Sequence, residues 1–185
     1  MLCTSRAVLA AMPLHVKGDT MSTRLVLTLV SAFLLFAVAA SPFGCTRSTE
    51  ADQQAVREAV LSLMDTQLKA VNAGDVDAVL ALFDSSPEFL ACLDGEVLNA
   101  EQFVKAEREG FDALRSVPTS WDTVYVRVLF ADLAIALAPF HQVQVDANGV
   151  ETRWTGDVTC IARLRNGKWT NIYAHAVHRP DASPR

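Results

Sequence analysis

The sequence predicts an α+β domain over residues 50–180, and three observations carry that prediction. From Glu50 the apolar residues Val56, Val60, Leu63, Met64, Leu68 and Val71 recur at helical spacing, the mark of an amphipathic helix with one buried stripe. After Pro118 the pattern changes to long apolar runs separated by short turn clusters, the mark of consecutive strands. Between them Asn99-Ala-Glu-Gln102 has the form of a capping box and opens a further helix. Helices first and strands after them is the order of a sheet with helices on one face.

Ahead of the domain the chain has another character. Residues 1–20 read as an upstream extension, with Met21 as the true start and an unstructured extension as the other reading. Residues 21–45 read as a signal peptide: Arg24 precedes the apolar run Leu25 to Ala40, which falls short of the roughly 20 residues a membrane-spanning helix needs. Two cleavage readings stay open. Val38-Ala39-Ala40 suits ordinary signal peptidase, whereas Gly44-Cys45 resembles the end of a lipobox, with Pro42 and Phe43 departing from its usual pattern and Cys45 as the residue lipidated. Either reading places the mature protein outside the cytoplasm, in the periplasm or cell envelope, with the membrane touched only through an anchor at Cys45. Residues 46–49 form a polar tether, and residues 181–185 a tail.

From Thr46 onward 13 Lys and Arg stand against 20 Asp and Glu, a net charge of −7 that argues against a nucleic-acid partner. Cys92 and Cys160 are the cysteines left after Cys45; they form one bridge if the fold brings them together, or remain two buried thiols.

The first helix stops at Asn72-Ala73-Gly74, and Asp75 caps a second, short helix running to Phe83. Asp84-Ser85-Ser86-Pro87 is turn chemistry, Glu88 to Leu93 a short strand, and Asp94-Gly95 its closing turn. The capped helix continues to about Ser116, with Phe103, Ala106, Phe111 and Leu114 on its inner side. Strands follow over Thr123 to Phe130, Leu133 to Val145, Thr152 to Leu164 and Trp169 to Val177, an antiparallel meander joined by hairpin turns. Pro139, inside the second of these, cannot donate to a ladder, so a bulge or bend is expected there. Ala134, Ala136 and Ala138 share one face of that strand; close helix packing is the first reading of so little volume, a ligand cavity the second.

The stretch Val71-Asn-Ala-Gly-Asp-Val-Asp-Ala-Val-Leu-Ala-Leu-Phe83, the Asp94-Gly95 turn and the ending Asn166-Gly-Lys-Trp-Thr-Asn-Ile-Tyr-Ala-His175 resemble the nuclear transport factor 2-like superfamily, most of all its SnoaL-like and ketosteroid isomerase-like branch. The resemblance implies a cone: a strongly curved, mainly antiparallel sheet wrapped on about three N-terminal helices, with a pocket between its concave face and the helices. It also implies a homodimer. The superfamily includes isomerases, cyclases, dehydratases and non-catalytic binders, so the fold leaves activity open.

On regular alternation, Trp169, Asn171, Tyr173 and His175 share one face of the last strand, and a half-polar aromatic face suits a ligand pocket. Three residues are catalytic candidates. His175 reads as a general base or as a histidine held by a carbonyl, Tyr173 as an oxyanion donor or a packing tyrosine, and Asp94 as a base at the pocket mouth or as ordinary turn chemistry. Trp154 is expected as a pocket wall, with Asp157 on the opposite face paired to a cation such as Arg127. The ligand-binding set is therefore Trp154, Trp169, Asn171, Tyr173 and His175. His175 and His178 are three apart on an extended strand and point to opposite faces, so no metal and no other cofactor is expected. No phosphate-cradling glycine loop, nucleophile elbow or Cys-x-x-Cys is present, which leaves nucleotide, serine-hydrolase and dithiol chemistry unsupported.

Three functional readings follow. The first is an exported, non-catalytic domain that binds a small apolar or amphipathic molecule. The alternative is an isomerase-, cyclase- or dehydratase-like enzyme with Asp94 or His175 as base and Tyr173 as oxyanion donor. The third is a dimerising module whose cone is plugged by Phe83, Phe103 and Phe111.

Overall fold

The computed structural model describes residues 49–181, so the export segment, both cleavage readings, Cys45 and the last four residues lie outside the described residues. Helix α1 spans Glu50–Ala73. Thr49, expected as the end of the tether, is its N-cap: Asp52 N–H donates to Thr49 Oγ1 (3.2 Å) and Thr49 N–H to Asp52 Oδ2 (3.0 Å). Gly74, at φ 67°, ends the helix in the left-handed conformation that glycine adopts without steric cost. Helix α2 is Val76–Leu80, capped by Asp75, and α3 is Ala100–Asp112, opened by the expected Asn99 and Gln102 box.

Eight strands, β1 (Leu90–Leu93), β2 (Glu96–Asn99), β3 (Leu114–Ser116), β4 (Thr119–Trp121), β5 (Tyr125–Phe130), β6 (Leu133–Asp146), β7 (Glu151–Arg165) and β8 (Lys168–Pro180), form one mixed sheet. Its order is β2-β1-β8-β7-β6-β3, with β4 and β5 also pairing β6. The β5 to β8 meander is antiparallel as the turn signals require, and β1 joins β8 in parallel. Helices preceding one curled sheet give the predicted α+β cone.

Several boundaries differ from the sequence reading for identifiable reasons. Helix α2 ends at Leu80 because the chain beyond it pairs with β8: Asn171 N–H donates to Leu82 C=O and Asp84 N–H to Asn171 C=O, both at 2.8 Å. Helix α3 ends at Asp112 because Leu114–Ser116 become a strand against β6. The strands β2, β3 and β4 are three or four residues long, too short to show periodicity. Asn72 holds β4 in place by donating to Thr119 C=O (2.9 Å) while Thr119 N–H donates back to its Oδ1 (2.7 Å), a side chain standing in for a strand partner.

The expected bulge at Pro139 is absent. Its pairing with Asp157 is in regular register, and on its other side β6 changes partner, from β5 at Leu137 to β4 at Phe140. The imide nitrogen therefore faces a gap in the ladder and leaves no partner unsatisfied. The bulge that matters falls in β8, where Ile161 pairs with Tyr173 and Ala162 with Asn171, leaving Ile172 as the extra residue.

Ala134, Ala136 and Ala138 are fully buried in the cluster that holds Val60, Met64, Cys160, Ala162 and Ala174, so close packing is the reading of that face that holds. Trp121 Nε1 donates to Met64 C=O (3.3 Å), tying β4 to the middle of α1. Cys92 and Cys160 are not bridged. They lie on β1 and β7, which β8 separates, and Cys92 pairs with His175 on the sheet face opposite the one that buries Cys160.

Candidate functional site

The bulge at Ile172 decides which side chains reach the interior. Before it, Trp169 packs against the core and Asn171 is buried. After it the alternation is inverted, so Ala174, Ala176 and His178 turn inward, while Tyr173 and His175 stand on the other face beside Ile161 and Thr159. A cavity of about 150 Å³ lies between this inner face, α1 and α3. Its walls are apolar, including Val79, Phe83, Phe103, Phe111, Trp121 and Phe140; its polar groups are Gln67, Glu107, Thr119, Gln142 and His178. Phe83, Phe103 and Phe111 line the cavity without filling it.

His178 is the most constrained of the polar groups. The Asp94 carboxylate accepts from the His178 backbone N–H (2.7 Å) and lies 3.1 and 3.2 Å from the imidazole Nδ1. A carboxylate accepts only, so Nδ1 carries the proton, and in the neutral ring Nε2 keeps its lone pair. Asp94 reaches this position because it occupies the β1–β2 turn at φ 51°, followed by Gly95 at φ 90°, and its own N–H is anchored on Ala176 C=O (2.9 Å). On the other sides the imidazole meets the Phe140 ring edge-on at 5.1 Å and the Trp154 ring at 6.3 Å. Phe140 can lie there because Gly156 stands opposite: a Cβ at 156 would come within 2.6 Å of the Phe140 ring and 2.0 Å of Val177 C=O.

Across the cavity Glu107 extends from α3, on the same side as Phe103 and Phe111, four residues to either side of it. It is partly buried, and desolvation pushes its carboxyl up to about 7, because an anion there would exchange water for hydrocarbon. The Gln142 amide is engaged at both ends, donating to Thr119 Oγ1 (3.2 Å) and accepting from Gln144 Nε2 (2.8 Å). Gln67 accepts a long bond from Asn171 Nδ2 (3.4 Å).

The sequence-predicted residues are therefore dispersed. Asp94 lies in the turn, where it orients His178. Asn171 lies behind Gln67. Trp154 stacks beside His178 and lines a neighbouring groove with Asn72, His141 and Arg153. Trp169 packs at the edge of the core, and Tyr173 and His175 do not line the cavity. Asp157 pairs with Arg179 (2.9 Å) on the adjacent strand, not with Arg127. Glu107 and Gln67 were missed although each carries a signal: both are polar residues within an apolar helical stripe, Glu107 between Phe103 and Phe111, Gln67 between Met64 and Ala70. His178 was set aside because the regular alternation put the site on the face of His175. Among the described residues no group of three metal-ligating side chains converges.

No protein-family model matches the sequence, and no curated protein matches it. Solved structures do match. A nuclear transport factor 2-like superfamily protein from Salmonella enterica serovar Typhimurium superposes with a TM-score of 0.62 at 16% identity, covering 71% of this chain and 96% of that one. A hexachlorocyclohexane dehydrochlorinase, LinA-type3, from Novosphingobium barchaimii gives 0.60 at 12% identity, over 74% and 97%. An NTF-2-like protein from Shewanella oneidensis gives 0.54 at 15% identity, over 65% and 98%.

The position of Glu107 sets a pH dependence. Below about pH 4.5 it is protonated folded and unfolded; between 4.5 and about 7 the unfolded chain ionises first, so stability falls as pH rises, and above 7 the loss is constant. Glu107→Gln should match the parent at pH 4 and exceed it by up to about 3 kcal/mol at pH 8 in urea unfolding. An unchanged pH slope would show that the carboxyl is solvated. With the curled sheet, the helices packed on it and a cavity between them all in place, the chain carries the nuclear transport factor 2-like fold.

Proposed function

We propose that this is an exported domain that binds a small, mostly apolar molecule in the cavity between α1, α3 and the concave face of the sheet. One observation carries the reading: an aromatic-walled space stays open in the core, with a few polar groups facing it from separate elements. Filling it would be the simpler way to stabilise the domain, since empty volume forfeits dispersion contacts. Export rests on the apolar run Leu25 to Ala40 behind Arg24, and pairing as a homodimer on the fold resemblance, with Leu137 and Phe130 exposed on the sheet.

A second reading, favoured by the Asp94–His178 pairing, is cofactor-independent proton transfer. His178 Nε2, with its lone pair directed by the Asp94 contact at Nδ1, would take a proton from carbon, and Glu107 in its neutral form would return one to a leaving group or oxygen. Elimination and isomerisation both need this pair of roles. The dehydrochlorinase named above shares the fold, which supports the class and specifies no substrate.

Each part of these readings has its own measurement. Small apolar compounds that occupy the cavity should raise the melting temperature, and Ala176→Phe, which fills the space, should abolish the rise while the protein stays folded; a rise that persists in this variant places the binding elsewhere. If a bound compound is converted, His178→Gln should lower kcat by about 10²–10⁴-fold with little change in KM; conversion at the parent rate removes His178 from the chemistry. Expressed with its own first 45 residues in a bacterial host, the chain should fractionate with the periplasm or envelope, and Cys45→Ser should release it if an anchor holds it; light scattering on the purified protein reads the dimer. Recovery of the whole product in the cytoplasm would overturn export.

A further inference from the structure

Gln67 and Asn171 are the two buried polar residues in the described core, 7% and 0% exposed. Their arrangement is asymmetric. Asn171 Nδ2 donates to Gln67 Oε1, which uses the acceptor end of the Gln67 amide and turns its donor end away. Gln67 Nε2 makes no hydrogen bond among the described residues, and it is not occluded: it opens on the cavity that Gln67 lines. Asn171 Oδ1, by contrast, is occluded and has no partner. An unpaired buried amide oxygen is destabilising, because it gives up water and gains no partner. The Asn171 main chain is held beside Gln67 by its backbone N–H and C=O, both committed to the Leu82–Asp84 segment at 2.8 Å.

The other polar groups of the cavity are otherwise engaged. Gln142 and Thr119 bond each other, Trp121 Nε1 is held by Met64 C=O, and His178 presents an acceptor. Glu107 donates only while it holds a proton. Gln67 Nε2 is thus the amide nitrogen of the cavity that has no hydrogen-bond partner among the described residues.

We infer that Gln67 Nε2, aimed by Asn171, is the oxygen-binding donor of the cavity, and that the ligand class is a small, mostly apolar molecule carrying a carbonyl-type acceptor. This rests on the ligand-binding reading above and narrows it. The unsatisfied Asn171 oxygen is the cost of fixing the Gln67 amide one way round, a local stability loss of the kind found where function dictates orientation. An apolar ligand of the same shape would leave the Gln67 donor desolvated and unpaired, so the site discriminates against it.

The test uses three shape-matched probes on the full ¹⁵N-labelled chain: 1-indanone, which accepts; indane, which does neither; and indoline, which donates. Expected is binding of 1-indanone about tenfold tighter than of indane, with the Gln67 side-chain N–H₂ resonances moving along with the Trp121 indole resonance. Gln67→Met, close in volume and without the donor, should bring 1-indanone and indane within about twofold of each other. Equal binding of 1-indanone and indane to the parent, or tighter binding of indoline, overturns the inference while leaving the cavity reading intact. If no probe moves the Trp121 resonance, the cavity reading fails and the inference with it. The parent measurement decides the matter even if Gln67→Met does not fold.

Discussion

One extra residue in one strand governs what this domain can hold. Among the described strands β8 alone touches both its parallel neighbour β1 and the long hairpin partner β7, so its side-chain alternation is read by the whole interior. Without Ile172 as the surplus residue, Tyr173 and His175 would enter the core against α1, where the opposing positions are already taken by Cys160, Ala162 and the alanines of β6. With it, Ala174 and Ala176 enter instead, and the inner face is small along a line that includes Ala134, Ala136, Ala138, Ala162 and Ala174. That smooth face lets α1 lie close, with Val60 and Met64 fully buried, and leaves room for a cavity further along the sheet. A bulge also strengthens local twist, which helps the sheet curl.

The same register shift delivers His178 to the cavity, and three further constraints hold it there. The Asp94 turn must take left-handed backbone angles, which Asp tolerates better than most residues and Gly95 adopts freely. Gly156 must lack a Cβ so that Phe140 can lie over it. The Asp94 carboxylate must accept from the His178 backbone and ring at once. Asp94 and His178 are far apart in sequence and come together only because β1 runs parallel to β8. Their side chains are 55% and 27% exposed, so the pair sits at the cavity rim, where its electrostatic worth is moderate and its value lies chiefly in aiming Nε2.

Much of the architecture was legible because it is written in local signals. The Asn99 to Gln102 box, Gly74 and Asp75 each satisfy helix-end groups by mechanisms that need only neighbouring residues, and the Asp94-Gly95 turn and the Arg165-Asn166-Gly167 turn announce reversals. The candidate site was less legible. A bulge leaves no trace in composition, so Trp169, Asn171, Tyr173 and His175 read as one face when the real interior column is Trp169, Asn171, Ala174, Ala176 and His178. Pro139 invited a bulge by its chemistry but needed none, since the missing donor falls where β6 changes neighbours. Glu107 and Gln67 were visible as polar breaks in apolar stripes, and the stripes were read for what they bury without regard to what interrupts them. Asp94 reads from sequence as a base at the mouth or as turn chemistry; it lies in the turn, beside a histidine that sequence distance hid.

The balance of groups around the cavity limits the chemistry it can support. Across the cavity from an imidazole whose Nδ1 faces Asp94 lies a carboxyl whose desolvation favours its neutral form. An anionic ligand would have to shed its hydration against phenylalanine and tryptophan rings, beside the Asp94 and Glu107 carboxyls, which is unfavourable by several kcal/mol. An uncharged, mostly apolar molecule avoids that loss and can still be oriented by the few polar contacts available. For such a molecule tightness would follow from shape and desolvation, and orientation from groups such as Gln67, Glu107 and His178, which α1, α3 and β8 bring from separate directions. Phe83 and Phe103, packed at 4.9 Å, line both this cavity and a wider surface depression beside α3, so these two rings stand between the two spaces.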